Sequence, residues 1–286
     1  MKQSFFLFAL FWAGCTFQNK NEKALPEIYN LGSRIDYNMY GDGDTTLFFV
    51  HGWCINQTYW DEQVDYFKDK YKVVTLDLPG HGKSDHNRSE WTIRNFGSDV
   101  ILMIDALRLN NVVLVGHSMG GNIILEAAVA KPDAVIGFVG VDNFKNLAVE
   151  TSDAQKAEMA GFVSQMRTDY EGVVSGFAAA MLFAESTRKK VSDRVMKDIL
   201  NTPPEISIEV IESLSKVNEV EGAQMQILKV KVDLINAEGM PTDESQLAKY
   251  CAKSYEVHSI GNTGHYPMVE VPDQFNAILE DILESL

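Results

Sequence analysis

Apolar residues fall along this chain in two alternating rhythms. Short, nearly unbroken apolar runs at Thr46–Val50, Lys72–Leu76, Asn111–Gly116 and Ala134–Val141 have the length and character of strands buried on both faces of a parallel sheet. Between them lie stretches whose apolar positions recur every three or four residues. These are Thr58–Tyr71 (with Tyr59, Val64 and Phe67 in register), Thr92–Leu109 and Met119–Ala130. Arg34–Tyr40 reads as an earlier strand, ended by the turn-forming Gly41-Asp42-Gly43-Asp44. The alternation resumes towards the C-terminus with a strand at Lys229–Ile235, a helix at Glu244–Tyr250, a strand at Ser254–Ser259 and a helix at Pro272–Leu286. Strands and helices alternating at this spacing predict an α/β fold with a doubly wound, mostly parallel sheet.

Residues 144–226 interrupt that rhythm. They are rich in Ala, Met and Phe at helical spacing, hold no strand pattern, and carry one break at Pro203-Pro204. This segment is expected to be a helical cap inserted between two strands of a core made of 31–143 and 227–286.

Composition changes the picture in one respect. The chain has 286 residues, 45% of them hydrophobic, enough for a large core with an insertion. Its formal net charge is −15, spread along the chain, with no Lys/Arg-rich stripe. Such a surface repels a phosphate backbone or an anionic bilayer, so nucleic acid is excluded as a partner.

The N-terminus follows a separate rule. Lys2 precedes the apolar run Phe5–Ala13, which has the form of a signal peptide and is too short to span a bilayer. Trp12-Ala13-Gly14-Cys15 resembles a bacterial lipobox, although Trp12 stands where that motif prefers Leu. The resemblance implies removal of 1–14, lipidation of Cys15 as the mature N-terminus, and a flexible polar tether over 15–30. Membrane contact is then expected only through the lipid anchor, at the cell envelope. An ordinary export signal would instead leave the protein periplasmic or secreted. Cys54 and Cys251 remain, and nothing in their spacing demands a disulfide.

The candidate chemistry centres on Gly116-His117-Ser118-Met119-Gly120, a G-x-S-x-G pentapeptide directly after one predicted strand and directly before a predicted helix. Glycines there allow a tight turn that lifts the serine hydroxyl above the sheet edge, beside a helix N-terminus with free N–H groups. Three further segments close predicted strands: His51-Gly52-Trp53, Asp77–Ser84 and Gly261–Met268, the last containing His265. Together these resemble the α/β-hydrolase superfamily over residues 34–286. The resemblance implies that Ser118 is the nucleophile and His265 its general base, with the backbone N–H groups of Trp53 and Met119 as oxyanion donors. His51, His81 and His117, inside turn motifs, are expected to be structural.

The third, acidic member has two candidates. Most of the superfamily places it after the strand that follows the cap, where Glu238 is nearest and Asp243 looks like a helix N-cap. Haloalkane dehalogenases and some relatives place it one strand earlier, and Gly137–Asp142 resembles that segment, which favours Asp142. A carboxylate at an apolar sheet edge is disfavoured by desolvation unless a partner such as His265 relieves it.

Ser at position 118, where dehalogenases and epoxide hydrolases of this fold carry Asp, implies an acyl-enzyme. Cleavage of a small or medium carboxylic ester, thioester or lactone is therefore the expected reaction. Trp53, Phe144, Phe162, Met166, Phe177 and Met181 are candidates for the substrate pocket, with Phe183 in the same stripe. No HExxH pair or clustered ligand spacing is present, so neither metal nor cofactor is expected. The same fold also hosts C–C hydrolases, perhydrolases and slow-turnover ligand-binding or signalling proteins. The anchor has a direct test: Cys15→Ala should move the protein from the membrane to the soluble fraction, and membrane association that survives the substitution would refute lipidation.

Overall fold

A computed structural model describes residues 25–286. Eight strands form one sheet: β1 (Ile28–Asn30), β2 (Ser33–Tyr40), β3 (Thr46–Val50), β4 (Lys72–Asp77), β5 (Val112–His117), β6 (Val135–Val141), β7 (Val232–Ala237) and β8 (Tyr255–Ile260). Their order is β1-β2-β4-β3-β5-β6-β7-β8. The first two pairings, β1 with β2 and β2 with β4, are antiparallel, and every later pairing is parallel. Every residue of β3, β5 and β7 is buried, as their unbroken apolar runs require.

The chain passes from β3 outward to β4 and then returns to β5 on the other side of β3. The carboxyl ends of β3 and β5 therefore face a crevice at the point where the strand order reverses, the usual ligand position in such sheets. Val50 pairs with Gly116, which sets the loop after β3 beside the loop after β5. Helices flank the sheet: α1 (Asp61–Phe67), α2 (Ile93–Ala106), α3 (Met119–Ala130), then, after the insertion, α9 (Glu244–Tyr250), α10 (Pro267–Glu270) and α11 (Pro272–Glu284).

Between β6 and β7 the chain is wholly helical: α4 (Asp153–Thr168), α5 (Tyr170–Met181), α6 (Lys189–Asn201), α7 (Pro204–Leu214), a 3-10 turn, and α8 (Glu221–Ile227). Local signals fix several of these starts. Ser152 and Gln155 form a reciprocal capping box at α4, and Pro204 opens α7, where its missing N–H costs nothing.

Several boundaries differ from the sequence pattern, three of them in ways that bear on the fold. The helix expected over Thr58–Tyr71 begins as a 3-10 turn at Gln57–Trp60, because Asn56 caps Thr58 N–H and Asp77 accepts from Gln57 N–H at 2.8 Å. Strand β7 starts and ends later than Lys229–Ile235, so Asn236 and Ala237 continue the strand and Glu238 falls just beyond it. The tether expected through residue 30 is too long: Ile28–Asn30 pairs with β2, Ile28 is buried, and Asn30 donates to Asp99 Oδ1 at 2.8 Å. Three residues are too few to show a period. Residues 1–24, which hold the expected leader, Cys15 and most of the expected tether, lie outside the described residues.

The same Asp99 receives both guanidinium nitrogens of Arg88, at 2.9 and 2.8 Å, in a pair almost wholly shielded from water. Removing one member leaves a buried unpaired charge. Asp99→Ala should therefore lower the unfolding free energy by about 3–5 kcal/mol, read from urea midpoints. A shift near zero would mean that the Arg88 charge finds water in the folded chain.

Candidate active site

Ser118 stands between β5 and α3 at φ 52° and ψ −121°, a backbone conformation that L-residues rarely adopt. The surroundings hold it there. Its N–H donates to Val141 O at 2.8 Å, while its carbonyl accepts from Gly121 N–H and from the Asn143 amide. A Cβ on Gly116 would meet the carbonyl of Gly120, and one on Gly120 would meet the carbonyl of Val50. Only glycine permits so sharp a turn between packed strands. Strain of this kind, about 1–3 kcal/mol per residue, persists only where the fold over-determines it.

His265 lies in the loop between β8 and α10. The loop is held from both sides. Its Gly264 and Tyr266 N–H groups each donate to Glu270 at 3.1 Å, and His265 N–H donates to Leu182 O at 3.0 Å. His117 Nε2–H donates to the His265 carbonyl at 2.7 Å. On the ring side, His265 Nδ1–H donates to Asp142 Oδ2 at 2.6 Å, which leaves Nε2 as the free ring nitrogen.

Asp142 follows β6 directly and has a left-handed φ of 47°. Its Oδ1 accepts from Ala237 N–H at 2.9 Å and pairs with Lys145 Nζ at 2.6 Å. Burial works against its charge, but the hydrogen bond from His265 and the Lys145 ammonium outweigh it, so the carboxyl is held well below the usual carboxylate range. Glu238, the other acidic candidate, is exposed and lies along Gly261, with no bond to His265. Asp243 accepts from Ser245 N–H and caps α9.

Ser118, His265 and Asp142 open on one cavity of about 640 Å³. Trp53 and Met119 line it too. Among the described residues neither backbone N–H has a hydrogen-bond partner, so both are free to meet a developing negative charge. Of the apolar candidates, Trp53, Phe144, Phe177 and Met181 line the cavity, together with Phe183. Phe162 and Met166 do not. Phe162 stacks on Phe177, with ring centres 5.5 Å apart, and Met166 is buried in the packing of the helical segment. A stripe at helical spacing cannot tell a pocket residue from the one that supports it.

Two further histidines, His51 and His117, have structural surroundings. His51 Nδ1–H donates to Gly52 O and its Nε2 accepts from Leu78 N–H, bridging two strand ends. Burial pushes its pKa down to about 4, and burial followed by the neighbouring His265 pushes His117 down to about 3, so both are neutral near pH 7. Cys54 and Cys251 are both free thiols, and burial raises Cys54 to about 12, which keeps it protonated beside the site. Among the described residues one trio has metal-ligand geometry, Asp233, Glu256 and His258, brought together by the β7–β8 pairing rather than by sequence spacing. Lys231 already occupies it, with Nζ 2.8 Å from Asp233 and 2.6 Å from Glu256.

Sequence reasoning missed Lys145, Asn143 and Glu270. Lys145 was within reach, since it follows Asp142 by one turn's spacing. Glu270 was not, because only the folded loop turns its side chain back onto Gly264 and Tyr266.

The profile of the alpha/beta hydrolase fold family matches residues 45–272, and the chain belongs to that family. One relative, the dihydrolipoyllysine-residue acetyltransferase component of the acetoin cleaving system of Cupriavidus necator, is 33% identical over 171 residues. That match takes in 59% of this chain and only 42% of the relative, so this chain spans less than half its length. The strigolactone esterase D14 of Arabidopsis thaliana is 24% identical over 269 residues, 89% of this chain and 98% of that protein. In fold, the chain is similar to a thermophilic esterase from Thermogutta terrifontis, with a TM-score of 0.77 at 20% identity, covering 91% of this chain and 96% of that one. The likeness to the Thermogutta terrifontis esterase bears on the fold alone.

The depressed Asp142 has a consequence for stability. It stays charged in the folded chain at pH values where a solvated aspartate, of pKa about 3.9, takes up a proton. The unfolded state then binds more protons, so the contribution is complete above about pH 5 and is lost as the pH falls through 3.9 towards the lower native value. Unfolding measured from about pH 6 down to about pH 3 should show wild type losing stability faster than Asp142→Asn. Parallel curves would mean that this carboxyl is not held down.

Proposed function

We propose that this protein is a serine hydrolase that cleaves a small or medium carboxylic ester, thioester or lactone through an acyl-enzyme. The observation that carries this reading is the 2.6 Å bond from His265 Nδ1–H to buried Asp142, in a cavity that also receives the strained Ser118 turn. The bond leaves His265 Nε2 as the proton acceptor, which a serine needs because its free hydroxyl is a poor nucleophile.

In the proposed reaction Ser118 Oγ attacks the carbonyl carbon and its proton passes to His265 Nε2. Asp142 holds the tautomer and stabilises the imidazolium. The carbonyl oxygen becomes an oxyanion facing Met119 N–H and Trp53 N–H, at the positive end of the α3 dipole. Collapse breaks the carbonyl–leaving-group bond, and His265 returns the proton to the departing alcohol or thiol. Water then gives a proton to the same nitrogen and attacks the acyl-Ser118 carbonyl; the acyl–Oγ bond breaks, Ser118 Oγ takes that proton from His265, and the acid leaves. The helical insertion 144–226 acts as the cap over this site, with Phe177, Met181 and Phe183 as the apolar wall that selects acyl or alcohol parts. We infer in addition that the leader exports the chain and that lipid on Cys15 holds the enzyme at the cell envelope.

A fluorophosphonate probe should label wild type and leave Ser118→Ala unlabelled, and p-nitrophenyl esters from acetate to octanoate should be turned over by wild type. Asp142→Asn should lose about 10⁴-fold in kcat, whereas Glu238→Gln should keep near wild-type rates. Large loss in Glu238→Gln alone would reassign the acid. Absence of both labelling and turnover in wild type would overturn the hydrolase reading.

A further inference from the structure

The lining of the cavity above Ser118 is mixed. Phe177, Leu182, Ile211 and Leu214 give it apolar surface, and Asn122, Asn218 and Glu221 give it polar groups. Glu221, the first residue of α8, is only 4% exposed. Its Oε1 accepts from Ala148 N–H at 2.6 Å and its Oε2 from the Asn122 amide at 3.0 Å. A carboxylate can accept about four hydrogen bonds, so half of its capacity is unused.

Most other buried carboxylates of this chain are better satisfied. Asp99 has Arg88, Asp142 has Lys145 and His265, and Asp233 has Lys231 and His258. Glu270 has no cation but takes two backbone N–H groups and the Thr187 hydroxyl. Asp77, like Glu221, has two donors, Gln57 and Lys83 N–H, but it does not line this cavity. Glu221 has one backbone donor, one amide, and, among the described residues, no basic side chain within ion-pairing distance, yet it faces the reaction cavity. Burial accordingly pushes its pKa up.

Its position is held by a relay that ends on the nucleophile. Asn122 Oδ1 accepts from Asn143 Nδ2 at 3.3 Å, and Asn143 Nδ2 also reaches the Ser118 carbonyl. Asn122 lies about one helical turn (~5.4 Å) along α3 from the Ser118 turn. A group seated on Glu221 is therefore a short aliphatic spacer away from a carbonyl under attack at Ser118. The charge of the cavity favours one sign. Asp142 and Lys145 cancel, His117 is neutral, and Glu221 is left over in a chain of net charge −15.

We propose that Glu221 is the specificity-determining residue of this site and that it selects esters carrying a protonated amine a short apolar spacer from the scissile carbonyl. This rests on the ester-hydrolase reading above and narrows it. The ammonium donates to the unused lone pairs of Glu221, the spacer lies on the apolar surface of Leu182 and Ile211, and the reacting carbonyl reaches Ser118.

Matched substrates test it. p-Nitrophenyl 6-aminohexanoate is compared with p-nitrophenyl heptanoate, which replaces the ammonium by a methyl group, and 4-aminobutyl acetate with pentyl acetate. In at least one pair wild type should prefer the amine by about tenfold or more in kcat/KM, the size expected of a hydrogen bond to a charged group. Glu221→Gln should abolish that preference, read as the amine-to-neutral ratio of kcat/KM within the pair. A neutral ester that is equal or better in both pairs overturns the proposal. So does a Glu221→Gln variant that slows amine and neutral esters alike, which would make Glu221 only a brace for Asn122. Calorimetric binding of the same pairs to Ser118→Ala, with and without Glu221→Gln, reads the selectivity without turnover. A wild type that turns over no ester but shows the Glu221-dependent amine preference in binding would sink the hydrolase reading alone. Equal binding within both pairs sinks the amine proposal alone.

Discussion

The site depends on one short hydrogen bond between a buried carboxylate and a histidine that come from different strands. Asp142 leaves the end of β6, and His265 sits in the loop after β8, with β7 between them. The bond forms because three parallel strands end nearly level. Val141 pairs with Ile235, Ile235 with His258, and Asp142 N–H continues the ladder by donating to Ile235 O at 2.9 Å. Ala237 N–H then meets Asp142 Oδ1, so the middle strand presents the carboxylate to its far neighbour. A slip of one residue in either pairing would turn the acid to the other face of the sheet. Sheet register is thus the constraint behind the chemistry, and the fully buried strands are what secure it.

The same logic explains the strained backbone around the cavity. Ser118, Asp142 and Phe144 all have positive φ without being glycine, as does Cys54 beside Trp53. Each directly follows a strand or lies within a few residues of one, where a parallel ladder stops and the chain must turn away. Elsewhere among the described residues positive φ falls to glycines such as Gly80 and Gly82 and also to Leu31, Arg108, Asn111, Ala148 and Asn262. Around the cavity the positions are taken by side chains that line it or sit beside it, and the packing beneath them supplies the energy that holds the conformation.

Much of this was legible in the residues. Unbroken apolar runs marked the strands buried on both faces, and α3 and α9 begin and end where their periodicity does. The G-x-S-x-G turn was readable because its glycines have only one steric purpose between a strand and a helix. What the sequence did not carry was set by distance in space. The shift of β7 to Val232–Ala237 comes from its pairing with β6 and β8, and Glu238 follows its end directly and is exposed. Phe162 and Phe177 look alike at helical spacing, yet only the packing of α4 against α5 decides which one reaches the cavity. Glu270 turned back onto Gly264 and Tyr266, and Glu221 with no cation beside it among the described residues, are facts about neighbours that no local pattern encodes.

The loop that carries His265 is fastened to the helical segment as well as to the core. His265 N–H binds Leu182 O, and Thr187, just before α6, binds the same Glu270 that holds Gly264 and Tyr266. Gly264 is pressed so closely against Leu182 and Ala184 that a Cβ there would come within 2.8 Å of a main-chain oxygen. The α5–α6 corner and the loop of His265 are therefore tied together like a hasp and its staple. Raising the α5–α6 corner as a rigid lid would draw the imidazole away from its carboxylate, so a molecule entering this site must pass the side chains at its mouth while that corner stays shut.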